Sequence, residues 1–293
     1  MHPLLPWLAR RPLRHLHAAG AVLGWLAYLG SPSYRQRLKA NAALAGVGDA
    51  ARRASVAEAG KLVMELPRLW LRPHGAAIND PVHWQGAELV EQALARGKGL
   101  ILLTPHMGSF EVAAQAYAER FGHIQPISVL YRPARQAWLR ELEETARARP
   151  ALATAPATLA GVRQLMRALR QGQTLGMLPD QVPPEGMGVW APFYGHSAYT
   201  MTLAAKLAQQ SGAAVLLIWA ERLPRGAGYA VGLQPLAEPL PERAGQGEEA
   251  WAAAAATAIN RSMEVVINKH PAQYLWGYHR YKQPRQEPHG GAA

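Results

Sequence analysis

The spacing of apolar and polar positions changes as the chain proceeds, and the changes divide it into a helical N-terminal part and a strand–helix body. Leu16 to Leu29 is a run of fourteen mostly apolar residues, broken by His17. From Arg35 to Leu71, Ala, Leu, Val and Met recur at helical spacing. That predicts one or two amphipathic helices, which Pro67 should kink or restart. From about Val82 the pattern alternates between short apolar runs and amphipathic stretches. Gly99 to Thr104 is wholly apolar between Gly and Pro, as suits a buried parallel strand. A helix from Phe110 to Arg120 follows, with Gly122 placed to end it. Ile127 to Tyr131 reads as the next strand and Arg135 to Arg149 as the next helix.

Leu159 to Arg170 is another amphipathic helix, and Leu175 to Leu178 a short strand running out at Pro179 and Asp180. A Pro- and Gly-rich loop is expected over Val182 to Gly195, then a helix from about Thr200 to Gln210 and a buried strand from Ala214 to Ala220. Glu248 to Lys269 is a long Ala-rich helix, and the last ordered element should end near Lys282. Alternation of this kind predicts an α/β fold, a sheet with helices on both faces. Three segments follow: an N-terminal membrane-associated helix over 1–34, one large domain over 35–283 and a loose tail over 284–293.

The length of 293 residues suits one such domain with its own core. With 49% hydrophobic and 17% charged residues, the composition is not that of a disordered chain. There is no Cys, which excludes disulfides and a thiolate nucleophile. The formal net charge of +11 admits nucleic acid, an anionic membrane surface or an acidic soluble ligand as partner. Dense Lys/Arg runs and nucleic-acid modules are missing, so no nucleic-acid partner is expected.

Charge changes the picture most at the N-terminus. Arg10, Arg11 and Arg14 precede the apolar run, and Arg35, Arg37 and Lys39 follow it. The run is shorter than the ~18 residues of a spanning helix. Small residues suited to signal cleavage are not evident, and basic residues on both flanks give no orientation. We expect a helix lying in or dipping into the bilayer interface, with Trp25 and Tyr28 near the headgroups. An ordinary buried helix is the alternative.

The candidate chemistry lies in Thr104-Pro-His-Met-Gly-Ser-Phe-Glu111, where a buried strand ends and a helix begins. In open α/β sheets this carboxyl edge is where ligands bind. Ser109 is a good N-cap, which puts Glu111 in the first helical turn, where the helix dipole favours its charge. Gly108 lets the backbone turn so that His106 and Glu111 can meet. A carboxylate on one ring nitrogen fixes the tautomer and leaves the other nitrogen as a base for a hydroxyl proton. Spacing alone favours a solvated loop histidine; the strand–loop–helix context leaves the two readings equally open. No third ligand or H-E-x-x-H pattern supports zinc.

His106 and Glu111 match the H-x4-D/E signature of the glycerolipid acyltransferase superfamily. Further blocks are Tyr131-Arg132-Pro133, Leu178-Pro-Asp-Gln181, Pro192-Phe-Tyr-Gly195 with Tyr199-Thr200, and Gln273-Tyr-Leu-Trp276 through Arg280-Tyr-Lys282. With Asn41 in its basic segment, the chain resembles the lipid A late acyltransferases over about residues 10 to 283. The resemblance implies a glycerol-3-phosphate acyltransferase-like mixed sheet. It also implies transfer of a lauroyl- or myristoyl-type chain from acyl carrier protein to a hydroxyacyl chain of a lipid A precursor. The work would be done on phospholipid at the cytoplasmic face of the inner membrane, without metal or organic cofactor. His106 would be the general base and Glu111 its orienter. Two departures bear on substrate detail: Tyr278 stands where many members have His, and the Pro common after the Ala214-Val215 pair is missing.

Arg132 follows a strand and should project from the same edge as His106, to bind a phosphate or charge developing on a thioester carbonyl; a structural salt bridge is the alternative. Asp180 and Gln181 end a strand on that edge, for the sugar headgroup, for a basic partner that shapes the site, or merely for a turn. Phe193, Tyr194 and Gly195 are expected beside the acyl groove, and Thr200 as a helix cap. Arg163, Arg167 and Lys206 are candidate contacts for phosphate or carrier protein, or simply solvated charges. Trp276, Tyr278, His279 and Arg280 form an aromatic–basic cluster suited to a membrane interface, or to closing the core. Transfer to glycerol phosphate or another glycolipid is the alternative activity. A non-enzymatic membrane or nucleic-acid binder is the remaining reading.

Overall fold

The computed structural model describes residues 4–131, 136, 140, 143, 146, 149–243, 245 and 247–286. Its N-terminal part is helical: α1 (Leu4–Ala9), α2 (Leu13–Gly30), α3 (Pro32–Leu44) and α4 (Asp49–Trp70). Ser31 caps α3 by accepting from the Tyr34 N–H, with Pro32 at the first helical position. α4 runs through Pro67 to Trp70, so the proline neither restarts nor ends it. The helix needs only one internal N–H fewer there, and Pro67 still accepts from Leu71.

α2 and α4 cross where neither has a side chain. A Cβ on Gly60 would stand 1.9 Å from the Gly20 carbonyl oxygen, and one on Gly24 would stand 2.1 Å from that of Val56. One face of α2, with Leu13, Leu16, His17 and Tyr28, is buried. Its other face leaves Val22, Leu23, Trp25, Leu26 and Leu29 exposed, a stripe at helical spacing. Tyr28 therefore departs from the expectation that it sits at headgroups: it is 7% exposed and stacks edge-on against the half-exposed Trp25. No helix among the described residues is long and apolar enough to cross a membrane.

The body is a seven-stranded mixed sheet. In chain order its elements are β1 (Val82–Gln85), α5 (Glu88–Ala95), β2 (Leu100–Leu103), α6 (Phe110–Phe121), β3 (Ile127–Tyr131), β4 (Leu152–Pro156), α7 (Leu159–Arg170) and β5 (Thr174–Met177). A separate hairpin, β6 (Gly188–Phe193) and β7 (His196–Met201), comes next. It is followed by α8 (Leu203–Ser211), β8 (Ala214–Arg222), β9 (Tyr229–Pro235) and α9 (Glu248–Lys269). The strand order is β1-β9-β8-β2-β5-β3-β4, parallel except where β9 runs antiparallel to β8.

Alternate residues of the central strands feed two cores, as a sheet covered on both faces requires. Leu100 and Leu102 of β2 pack with Leu216, Ile218, Val112 and Tyr117; Ile101 and Leu103 pack with Leu175, Met177, Leu217 and the α9 residues Ile259, Met263 and Val266. Most of the expected helix over Arg135 to Arg149 and most of the expected tail lie outside the described residues.

Two expectations are corrected. The loop over Val182 to Gly195 contains strand β6. Its pairing with β7 turns at Tyr194 and Gly195, both at positive φ as a two-residue hairpin demands. Pro192 hides this strand in the sequence, but it sits on a two-stranded edge that can spare its N–H. Thr200 caps no helix. It lies in β7 and takes hydrogen bonds from Arg280 and Asn260. Of the Trp276–Arg280 cluster, Trp276 and Arg280 help to close the core, both 2% exposed, while His279 is exposed.

Candidate active site

β2 and β5 are adjacent parallel strands whose last residues, Leu103 and Met177, are paired. His106 and Asp180 each lie three residues beyond that pair, so the register alone delivers both to one place at the carboxyl edge of the sheet. The His106 N–H donates to Asp180 Oδ2 at 2.9 Å, and its ring Nδ1 lies 2.6 Å from Asp180 Oδ1. A carboxylate gripping both backbone and ring leaves the imidazole little freedom. Gln181 Nε2 stands 2.9 Å from the second ring nitrogen, Nε2. With Nδ1–H donated to the carboxylate, Nε2 carries the lone pair and the amide of Gln181 donates to it.

The Asp180 side chain is buried. Burial pushes its carboxyl up, but the charge and hydrogen bonds of His106, with Arg280 beyond, outweigh burial and hold it below the usual carboxylate range. Burial, followed by Asp180, pushes the neighbouring Tyr274 hydroxyl well up, so Tyr274 keeps its proton.

This geometry revises the pairing expected from the sequence. The carboxylate on Nδ1 is that of Asp180, and the ring nitrogens of His106 face Asp180 and Gln181. Glu111 does sit in the first turn of α6, where it is buried, and Ser109 does occupy the N-cap, though without a side-chain capping bond. Asp180 pairs with His106, a basic partner that shapes the site, and Gln181 joins it at the ring. Arg132 lies outside the described residues. Lys206 pairs with Glu248 on the exposed surface. Tyr194 packs edge-on against Phe193 with its hydroxyl on Asn268. Among the described residues no group of three His, Asp or Glu side chains gathers where it can hold a metal ion.

The loop carrying His106 is held from behind. Gly108, at φ +53°, passes so close to β8 that a Cβ there would meet the Ala220 carbonyl oxygen at 2.0 Å. Its N–H donates to Gln273 O, that of Ser109 to Ala220 O, and that of Leu275 to His106 O. Asn41 of α3 fastens the other side of this frame, donating to the Trp276 and Tyr278 carbonyls at 2.7 and 2.6 Å. Sequence reasoning singled out Asn41 only by family likeness and passed over Gln273's side chain.

In front of His106 opens a cavity of about 520 Å³. Its polar end holds His106, Asp180 and Gln181. Its long side is apolar, formed by Leu23, Gly24 and Ala27 of α2 and by Ala59, Leu62 and Val63 of α4. A base at the mouth of an apolar slot suits a substrate with a reactive head and a hydrocarbon tail.

Comparison with known proteins identifies the family. The profile of the bacterial lipid A biosynthesis acyltransferases matches residues 4–283. The lipid A biosynthesis palmitoleoyltransferase of Escherichia coli (strain K12) is 25% identical over 224 residues, 76% of this chain and 68% of that protein. The lipid A biosynthesis lauroyltransferase of the same organism is 26% identical over 198 residues, 67% of this chain and 60% of that protein. A lipid A biosynthesis acyltransferase of Haemophilus influenzae (strain ATCC 51907 / DSM 11121 / KW20 / Rd) is 26% identical over 193 residues, 65% and 56% of the two chains. With nearly its whole length matched, the chain belongs to the bacterial lipid A biosynthesis acyltransferase family.

Proposed function

We propose that this enzyme moves a lauroyl- or myristoyl-type fatty acyl group from acyl carrier protein to a hydroxyacyl chain of a lipid A precursor, with His106 as general base. The observation that carries the reading is the His106–Asp180 pair facing the apolar cavity. Asp180 holds Nδ1–H, so Nε2 accepts the proton of the acceptor hydroxyl. The freed oxygen attacks the thioester carbonyl, the carbon–sulfur bond breaks, and the proton passes from Nε2 to the departing thiolate. No covalent acyl-enzyme is needed.

Gln181 occupies the place the acceptor hydroxyl must take. When that hydroxyl arrives the amide swings off Nε2, still within reach of the thioester carbonyl, where it donates to the oxygen as charge develops. Glu111, in the first turn of α6, serves as the second carboxylate of the site. Arg132 keeps its expected role as partner of a phosphate or of the carbonyl. The acyl chain lies in the cavity that α2 and α4 both line.

The exposed stripe of α2, flanked by Arg10, Arg11 and Arg14, supports docking at an anionic phospholipid surface, which we take to be the cytoplasmic face of the inner membrane. The net charge of +11 also suits an acidic carrier protein. The test is acyl transfer by the purified chain, with a panel of acyl carrier protein donors and with lipid A precursor or glycerol phosphate as acceptor, products read by mass. We expect acylated lipid A precursor, and a His106→Ala variant that folds but transfers at least about 1000-fold more slowly. Near-wild-type turnover by that variant would remove His106 as base; product on glycerol phosphate alone would move the acceptor class.

A further inference from the structure

We propose that the N-terminal helix pair is a working part of the catalytic site: Glu65 of α4, acting through Arg222, holds the Gly108 carbonyl and so fixes the loop that presents His106. The inference rests on the reading of His106 as the base and assigns Glu65 and Arg222 as positioning residues.

Glu65 is fully buried, at 0% exposure, inside the junction of α2, α4 and the sheet. Both its oxygens lie 3.1 Å from Arg222 Nε; His17 Nε2 of α2 and the Tyr229 hydroxyl reach the same carboxylate at 3.1 and 3.3 Å. Arg222, the last residue of β8, is 4% exposed, and all three nitrogens of its guanidinium are engaged in different directions. Nε meets Glu65, Nη1 meets Glu58 Oε2 at 3.1 Å, and Nη2 donates to Gly108 O at 2.6 Å. A planar fork held at two points by carboxylates has only one orientation left for its third arm, and that arm grips the catalytic loop.

The backbone of Arg222 is gripped in turn. Its N–H donates to Gln273 Oε1 and its carbonyl accepts from Gln273 Nε2, while Gln273 O accepts from the Gly108 N–H. Gly108 is thus held at both polar atoms, two residues after His106 and without a side chain of its own. α4, whose Ala59, Leu62 and Val63 line the cavity, also supplies Glu58 and Glu65. One helix therefore forms the tail's wall and braces the base.

A buried ion pair is a costly way to hold a fold together, and well-packed apolar residues often stabilise as much or more. What the ions give that apolar contacts do not is a direction, and a misplacement of about 1 Å at a reacting group can cost about 100-fold in rate.

The test compares Glu65→Gln, Arg222→Lys and Gln273→Met with Arg68→Gln in the full-length chain. Arg68, on the same helix as Glu65, pairs with Asp80 and is not joined to the loop by any of these bonds. For Glu65→Gln and Arg222→Lys we expect kcat to fall about 10- to 100-fold with both KM values within about threefold. Gln273→Met should shift the same way but less, and serves if the charged variants fail to fold. Arg68→Gln should lose stability and keep kcat within about twofold.

The ring nitrogen spectrum of His106, identified by its loss in His106→Ala, should show a single Nδ1–H tautomer in the wild type and a mixture in Glu65→Gln. Unchanged kcat and tautomer in folded variants would overturn the inference, as would a loss no larger than the unfolded fraction explains. If the wild type transfers no acyl group to any acceptor, the functional reading fails, while the tautomer readout still decides whether Glu65 positions His106.

Discussion

His106 Nδ1 lies 2.6 Å from Asp180 Oδ1, although 74 positions separate them, while Glu111 stands only five positions from the same histidine. The longer connection prevails because β2 and β5 run parallel in register, so residues equally far past their ends arrive together. A helix start five residues on supplies a nearby carboxylate too, but the ring's Nδ1 is already taken.

Asp180→Asn should lower kcat about 100- to 10,000-fold while leaving the fold intact, because an amide can hold the wrong tautomer of the ring. Glu111→Gln should also lower kcat, yet leave the His106 ring in its Nδ1–H form, since it does not hold that nitrogen. Ring nitrogen shifts and turnover measured on both variants check this. A tautomer change in Glu111→Gln and not in Asp180→Asn would return the orienting role to Glu111.

Most of what is legible in the sequence is local. The Ala-rich helix from Glu248 to Lys269 carries its periodicity on its face, and the bare run after Gly99 announces β2. His106 was visible because a buried strand, a glycine and a helix start surround it. Asp180 was visible as a strand-end residue, but not as the partner of His106, because no local pattern states which strands are neighbours. β6 stayed hidden because Pro192 and the glycines around it read as a loop, and only its pairing with β7 makes it a strand. Arg280 reads as part of an aromatic–basic cluster for a membrane interface or for the core, and only the fold shows its guanidinium meeting Tyr199, Thr200 and Asn260.

Ala59→Leu and Ala27→Leu should shift the preferred acyl chain to a shorter one, because both alanines line the cavity. The cavity can take the added atoms, so the cost in stability should stay below the roughly 1–3 kcal/mol of overpacking a filled core. Competition between donors of different length, with products resolved by mass, reads the shift. An unchanged profile in both variants would place the chain elsewhere.

Trp25→Asp with Leu26→Asp should release the protein from vesicles containing anionic phospholipid. Both side chains sit on the exposed stripe of α2, and little in the core should notice their loss. Raised salt should weaken wild-type binding, since each arginine near such a surface contributes about 1 kcal/mol. Cosedimentation at low and high salt measures both effects. Unchanged binding by the double variant would assign the stripe to some other use.

Stability should fall in acid, and Glu65 should account for part of the fall. Burial pushes its carboxyl up, but Arg222 and His17 outweigh burial and hold it below the ordinary value. A carboxyl whose folded pKa lies below its unfolded value, about 4.3 for Glu, contributes stability that is complete above about pH 4.3. That contribution is lost as pH drops through the folded pKa. Asp180 acts with the same sign, from an unfolded value near 3.9. Glu65→Gln leaves Arg222 buried with a neutral partner at neutral pH, which should cost about 3–5 kcal/mol. Below the folded pKa the wild type also carries a neutral group there, so the gap between the two proteins should narrow as pH falls from 6 to 3. Urea unfolding midpoints across that range test it. A gap that stays constant would mean that the Glu65 charge is not what joins α4 to Arg222 and the loop behind His106.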